Sequence, residues 1–173
     1  MIVPKSLDRK SRPNKIIYYL SIAEQVASRG TCIRRNYGAV IVKDDSIIAT
    51  GYTGSPRGTM NCCDRGRCIR NILNIKSGER YDICRSVHAE VNAIIHAGRH
   101  NCIGSTMYLA CTDHEYNKPP CYLCRRIIIN SGLESVIIPD VPEADGSLMC
   151  SILLTTFDLK EMDNDYYAGL EVG

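Results

Sequence analysis

A chain of 173 residues, 45% hydrophobic and 23% charged, is long enough for one domain burying about two thirds of its unfolded-chain surface. A formal net charge of +2 makes no case for a broad polyanion-binding face, so a stable nucleic-acid partner is not expected. No apolar run approaches the roughly 20 residues of a membrane span, and the polar, basic start lacks the apolar middle of a secretory signal; the expected compartment is the cytoplasm.

Residues 16–28 place Ile16, Ile17, Leu20, Ala23, Val26 and Ala27 at helical spacing, closed by Gly30. Residues 39–43 and 46–50 read as two strands of a hairpin turning at Asp44 and Asp45. Residues 51–66, rich in Gly, Pro, Asn and Cys, read as a loop. A buried helix is expected over 88–97, a third strand over 106–111, and a helix over 121–130 stopped by Ser131 and Gly132. Residues 135–138 supply a fourth strand and 151–157 a fifth; the acidic, Tyr-rich residues 161–173 read as a short helix or a frayed tail. Alternation in the second half implies βαβ crossovers and one layered α/β domain over residues 1–173.

Ten cysteines in a chain of this length without a secretory signal suggest metal ligands or buried small hydrophobes rather than a disulfide framework. Cys102, Cys111 and Cys150 read as packing residues. His96, His100 and His114 read as surface or capping residues rather than ligands.

The chemistry-bearing pattern is His88-Ala89-Glu90 followed by Pro120-Cys121-Tyr122-Leu123-Cys124. One imidazole and two thiolates supply three zinc ligands and leave a fourth position for water or substrate, as a catalytic rather than a structural site requires. Both ligand groups fall at expected helix starts, where unpaired N–H groups and the positive dipole end favour thiolate. Glu90, two residues after His88, lies near the metal without needing to bind it and can carry protons. The same pattern marks zinc deaminases that attack cytosine C4 or adenine C6.

On these residues the sequence resembles the zinc-dependent cytidine/deoxycytidylate deaminase family, most closely its deoxycytidylate (dCMP) deaminase branch. The resemblance runs over about residues 32–138. It rests on Tyr37-Gly38-Ala39-Val40-Ile41-Val42, Gly51-Tyr52-Thr53-Gly54-Ser55-Pro56, His88-Ala89-Glu90-Val91-Asn92-Ala93-Ile94 and the Pro-Cys-x-x-Cys helix. It implies a three-layer α/β/α fold with a mixed five-stranded sheet between helices. It also implies one catalytic Zn²⁺ on His88, Cys121 and Cys124, Glu90 as proton shuttle, and hydrolytic deamination of dCMP to dUMP and ammonia. The Ala89 N–H would bond the pyrimidine carbonyl, and residues 51–58, with Thr53 and Gly54, would hold sugar and phosphate. A homo-oligomer, dimer or hexamer, is expected with it.

Arg34, Arg35, Arg57, Arg125 and Arg126 are candidates for a 5′-phosphate, Arg57 first because it sits in the nucleotide loop. Some members of the branch carry a second, structural zinc, for which Cys32, Cys62, Cys68 and Cys84 are the expected ligands, with Cys63 the alternative to Cys62. The sequence also departs from the family. Thr53 stands where the family has an Asn that contacts the sugar, and residues 111–119 lengthen the approach to Cys121. A riboflavin-pathway deaminase resembles that stretch and would use Cys111 in place of Cys124, but Leu109-Ala110 lacks its Glu-Pro, which favours Cys124. Rival activities are deamination of tRNA adenosine, a free base or nucleoside, or a riboflavin precursor; a non-catalytic zinc module would have no use for Glu90.

Overall fold

The computed structural model describes residues 12–114 and 118–139. Helix α1 (Lys15–Ala27) starts where the Asn14 side chain accepts a hydrogen bond from the Ile17 N–H at 2.9 Å. Strands β1 (Tyr37–Lys43) and β2 (Ser46–Tyr52) form the expected hairpin. Its turn residues Asp44 and Asp45 have φ of 47° and 61°, the left-handed pair that matches the twist of a two-residue hairpin. β3 (Thr106–Cys111) lies antiparallel to β1 on its other side, and β4 (Ser135–Ile137) runs parallel to β3. The strand order is β2-β1-β3-β4, a mixed sheet. Four strands, rather than the expected five, lie among the described residues; residues 151–157 and the tail fall outside them.

The period of two along the strands divides the core between two faces. Ala39, Ile41, Met107, Leu109 and Val136 pack with Ala89, Ala93 and Ile94 of α4 (Ala89–Ala97) and with Cys124 and Ile128 of α6 (Tyr122–Ser131). Val40, Val42, Tyr108, Ala110 and Ile137 pack on the opposite face with Tyr19, Leu20 and Ala23 of α1. The result is the three-layer α/β/α arrangement. Each face carries one glycine where a helix backbone lies directly on the sheet. A Cβ at Gly38 would run into the backbone of Ala23 and Ala27, and one at Gly51 into the backbone of Ala89 and Ala93. Gly51 thus sets how closely the start of α4 approaches β2.

Between β2 and α4 the chain is less open than a loop. It holds two single-turn helices, α2 (Cys62–Arg65) and α3 (Ile69–Ile72), and a 3₁₀ turn at Tyr81–Ile83. Asn61 begins α2, its N–H donating to Asp64 Oδ2 at 3.2 Å, and left-handed Gly66 ends it. A further short helix, α5 (Arg99–Cys102), follows Gly98 before β3. No helix among the described residues is long and apolar enough to cross a membrane.

Candidate active site

His88 and Cys121 are the residues capping α4 and α6, both with extended backbone (ψ of 154° and 162°), and Cys124 sits three residues into α6. The two helices pack side by side on the same sheet face, so their N-termini converge. His88 Nδ1 lies 3.5 Å from Cys121 Sγ and 3.3 Å from Cys124 Sγ, and all three ligand atoms lie within 4.8 Å of one another. Ligands at 2.0–2.3 Å from a tetrahedral Zn²⁺ stand roughly 3.5 Å apart, so this donor set fits the ion.

The charges prepare the same chemistry. Cys121 is drawn down to about 4, chiefly by the hydrogen bond it shares with Cys124 and against the effect of burial, with His88 adding to the pull. Cys124 moves the other way because the shared proton stays on its sulfur, and burial reinforces that. For His88, burial works against the charged form, but the Cys121 hydrogen bond and the nearby Glu90 outweigh it and raise its pKa. Glu90, 5% exposed, lies in the first turn of α4; desolvation raises its carboxyl above the usual range, partly opposed by His88.

These groups line a cavity of about 760 Å³. Thr53 also lines it, its Oγ1 accepting from the Tyr37 N–H at 3.1 Å. Gly54 makes a two-way backbone bridge to Val87, with hydrogen bonds of 3.1 and 2.8 Å, which ties the loop after β2 to the residue before His88. Ala89 is fully buried at the first position of α4, where a backbone N–H has no carbonyl partner within the helix.

Two expected groups are placed differently. Arg57 is not brought to the cavity. Its Nη2 donates to His96 Nε2 at 2.8 Å, while His96 Nδ1 donates to the Thr50 carbonyl at 2.6 Å, so His96 joins loop to strand. Cys32, Cys62, Cys68 and Cys84 all line the cavity but do not assemble a second metal site. Among the described residues His88, Cys121 and Cys124 are the group whose ligand atoms gather closely enough. The four cysteines sit before β1, on α2, at the start of α3 and after the 3₁₀ turn. Cys111 is fully buried at the end of β3 and is no member of the gathered triad; Cys102 is likewise a core residue. His114 pairs with Glu24 of α1 at 3.4 Å.

The sequence reading missed Tyr81 and Arg70. The Tyr81 ring meets the His88 ring edge-on at 4.9 Å and 87°, and the Arg70 guanidinium lies 4.6 Å over Tyr81. Both come from an aperiodic stretch with no spacing signal to single them out.

On this fold, a buried carboxylate beside a His-Cys-Cys metal corner makes the working centre of a zinc-dependent hydrolytic deaminase. The chain belongs to the cytidine and deoxycytidylate deaminase family, whose zinc-binding region matches residues 13–139. It is 38% identical over 133 residues to the deoxycytidylate deaminase of Mycobacterium phage D29, covering 75% of this chain and 97% of that protein. It is 36% identical over 126 residues to the deoxycytidylate deaminase of Schizosaccharomyces pombe, covering 73% of this chain but 37% of the longer yeast protein. Among solved structures, the dCMP deaminase of cyanophage S-TIM5 in complex with dCMP and dUMP superposes with a TM-score of 0.51 at 26% identity, covering 73% of this chain and 81% of that one.

Proposed function

We propose that the protein converts dCMP and water to dUMP and ammonia. The observation that carries this is Glu90, buried in the cavity next to the His88-Cys121-Cys124 corner. A zinc ion held there supplies Lewis acidity that makes water a nucleophile near neutral pH. Glu90 takes a proton from the attacking water and delivers it to ring N3 as the C–O bond forms at C4. It then takes the proton of the new C4 hydroxyl and gives it to the amino group, the C–N bond breaks as C4–O becomes the product carbonyl, and ammonia leaves with the C–N electron pair. The Ala89 N–H holds the pyrimidine carbonyl. Thr53 and Gly54 shape the sugar end, and Thr53 offers a hydroxyl there in place of the family amide.

The same proposal includes a cytoplasmic enzyme assembled as a dimer or hexamer. None of the nine cysteines among the described residues is in a disulfide, which suits a reducing compartment. Tyr122, Leu123 and Ile127 leave an apolar strip of α6 exposed, which suits an interface between copies. Ammonia release from a panel of cytosine base, deoxycytidine, dCMP, CMP and dCTP tests the substrate. We expect dCMP to give the highest kcat/KM; equal efficiency on deoxycytidine would remove the nucleotide assignment and leave the deaminase.

A further inference from the structure

We propose that Arg70 is the residue that grips the substrate's 5′-phosphate; this rests on the nucleotide reading above. Arg70 is 6% exposed and lines the cavity. An arginine this buried is ordinarily matched by an anion, yet no carboxylate among the described residues pairs with it. One donor, Nη2, bonds the Lys76 carbonyl at 2.7 Å, while Nε is buried with no partner. A guanidinium whose Nε is unpaired keeps a donor free for a phosphate oxygen, and the planar fork matches phosphate geometry.

Its position suits the length of a nucleotide, whose reacting C4 and phosphate are at opposite ends. Arg70 stands two ring contacts from the metal corner, 4.6 Å above Tyr81, which in turn lies 4.9 Å from the His88 ring. The surroundings are cationic: eight Arg and Lys side chains line the cavity against two acidic ones. Of those two, Glu90 works at the base end and Asp82 is already bound by Arg80 at 3.1 Å. Three cavity-lining guanidinium groups also bond residues 75–77: Arg34 donates to the Ile75 carbonyl at 3.3 Å, Arg35 to Ser77 Oγ at 2.7 Å and Arg70 to the Lys76 carbonyl. A dianion arriving beside that stretch would meet three positive charges. Arg57, hydrogen-bonded to His96 away from the cavity, has no such setting.

The test is the ratio of kcat/KM for dCMP to that for deoxycytidine, measured on zinc-loaded full-length protein. Arg70→Lys keeps the charge and loses the fork, and should lower the ratio about tenfold; Arg70→Gln should lower it up to roughly a hundredfold, mainly through KM for dCMP. Inhibition by 2-deoxyribose 5-phosphate should weaken in parallel. Both rates come from one preparation, so loss of folded protein cancels in the ratio. If Arg70 merely braces Tyr81 and the Lys76 carbonyl, both activities fall together and the ratio stays, which overturns the proposal. A ratio lost in Arg57→Ala but kept in Arg70→Lys overturns it in favour of the loop arginine. A ratio near one in the unmodified enzyme is a different failure, that of the nucleotide reading itself.

Discussion

Each face of the sheet buries a glutamate, and the two are put to opposite uses. Glu24 of α1, 8% exposed, finds His114 at 3.4 Å across the structural face. Glu90 of α4, 5% exposed, is turned instead toward a cavity containing an imidazole and two sulfurs. The packing around them differs as well. The α1 face is filled by large side chains, with Tyr19 and Tyr108 stacked at 4.9 Å over Leu20, Val40 and Val42. On both faces a glycine lets helix backbone lie close to strand backbone, Gly38 against Ala23 and Ala27 and Gly51 against Ala89 and Ala93, and the α4 side adds Ala39, Ala49 and Ala97 to its core. The approach at Gly51 involves Ala89, the first residue of α4, and so the helix N-terminus that carries the site; the approach at Gly38 involves the C-terminal half of α1. The same alternating strands therefore separate catalysis from support, and substitutions on the two faces should separate rate from stability.

The largest effect belongs to Glu90. In Glu90→Gln the isosteric amide removes proton transfer without removing a zinc ligand, so kcat should fall by about 10² or more while metal content stays at wild type. Stability should not fall, because an ionisable group leaves a desolvated position. Elemental analysis and thermal unfolding beside the ammonia assay check the three parts. Near-normal turnover in the metal-loaded variant would end the shuttle role.

Next come the cysteines, which compare two walls of the same cavity. One zinc per chain is expected in unmodified protein purified without chelator, little in Cys124→Ser, and still one in Cys62→Ser or Cys68→Ser. Two ions per chain, with one lost in the Cys62 or Cys68 variant, would restore the structural metal site.

That contrast also marks how far the sequence could be read. His88, Cys121 and Cys124 were legible because each begins or enters a periodic helix, and regular elements carry short-range spacing into predictable geometry. The hairpin was legible from two turn residues. The Cys62–Cys84 region was not. Its path is set by tertiary hydrogen bonds, such as Arg34 to the Ile75 carbonyl, and by left-handed Asn74 and Arg80, at φ of 53° and 48°. The resemblance suggested a shared metal for Cys32, Cys62, Cys68 and Cys84, and among the described residues only His88, Cys121 and Cys124 gather as a ligand group. The same irregular path hid Arg70 and Tyr81, whose meaning lies in what they face. Arg57 illustrates the converse: it sits in the expected loop, but His96 holds it outside the cavity.

The smallest effect should come from the structural face, at the hairpin turn. Asp45 accepts hydrogen bonds from Lys15 Nζ at 2.6 Å and from the Tyr19 hydroxyl at 2.8 Å, fastening the start of α1 to the turn. Lys15 first and then Tyr19 hold its carboxyl below the ordinary 3.8. A carboxylate whose pKa is lowered by folding stabilises the native state above its unfolded pKa and loses that contribution as pH falls through the native one. Asp45→Asn keeps a residue tolerant of left-handed backbone and removes only the charge. Its Tm should lie modestly below wild type at pH 7 and at pH 5. The gap should begin to close as pH falls toward the ordinary 3.8 and vanish below the lowered native value, where folded wild-type Asp45 is neutral too. Because the group is exposed, added salt should shrink the gap at neutral pH too. kcat should stay at wild type throughout, since the sheet stands between this tether and Glu90. A Tm gap that persists unchanged to pH 2 would assign the loss to turn geometry rather than to the ion pair.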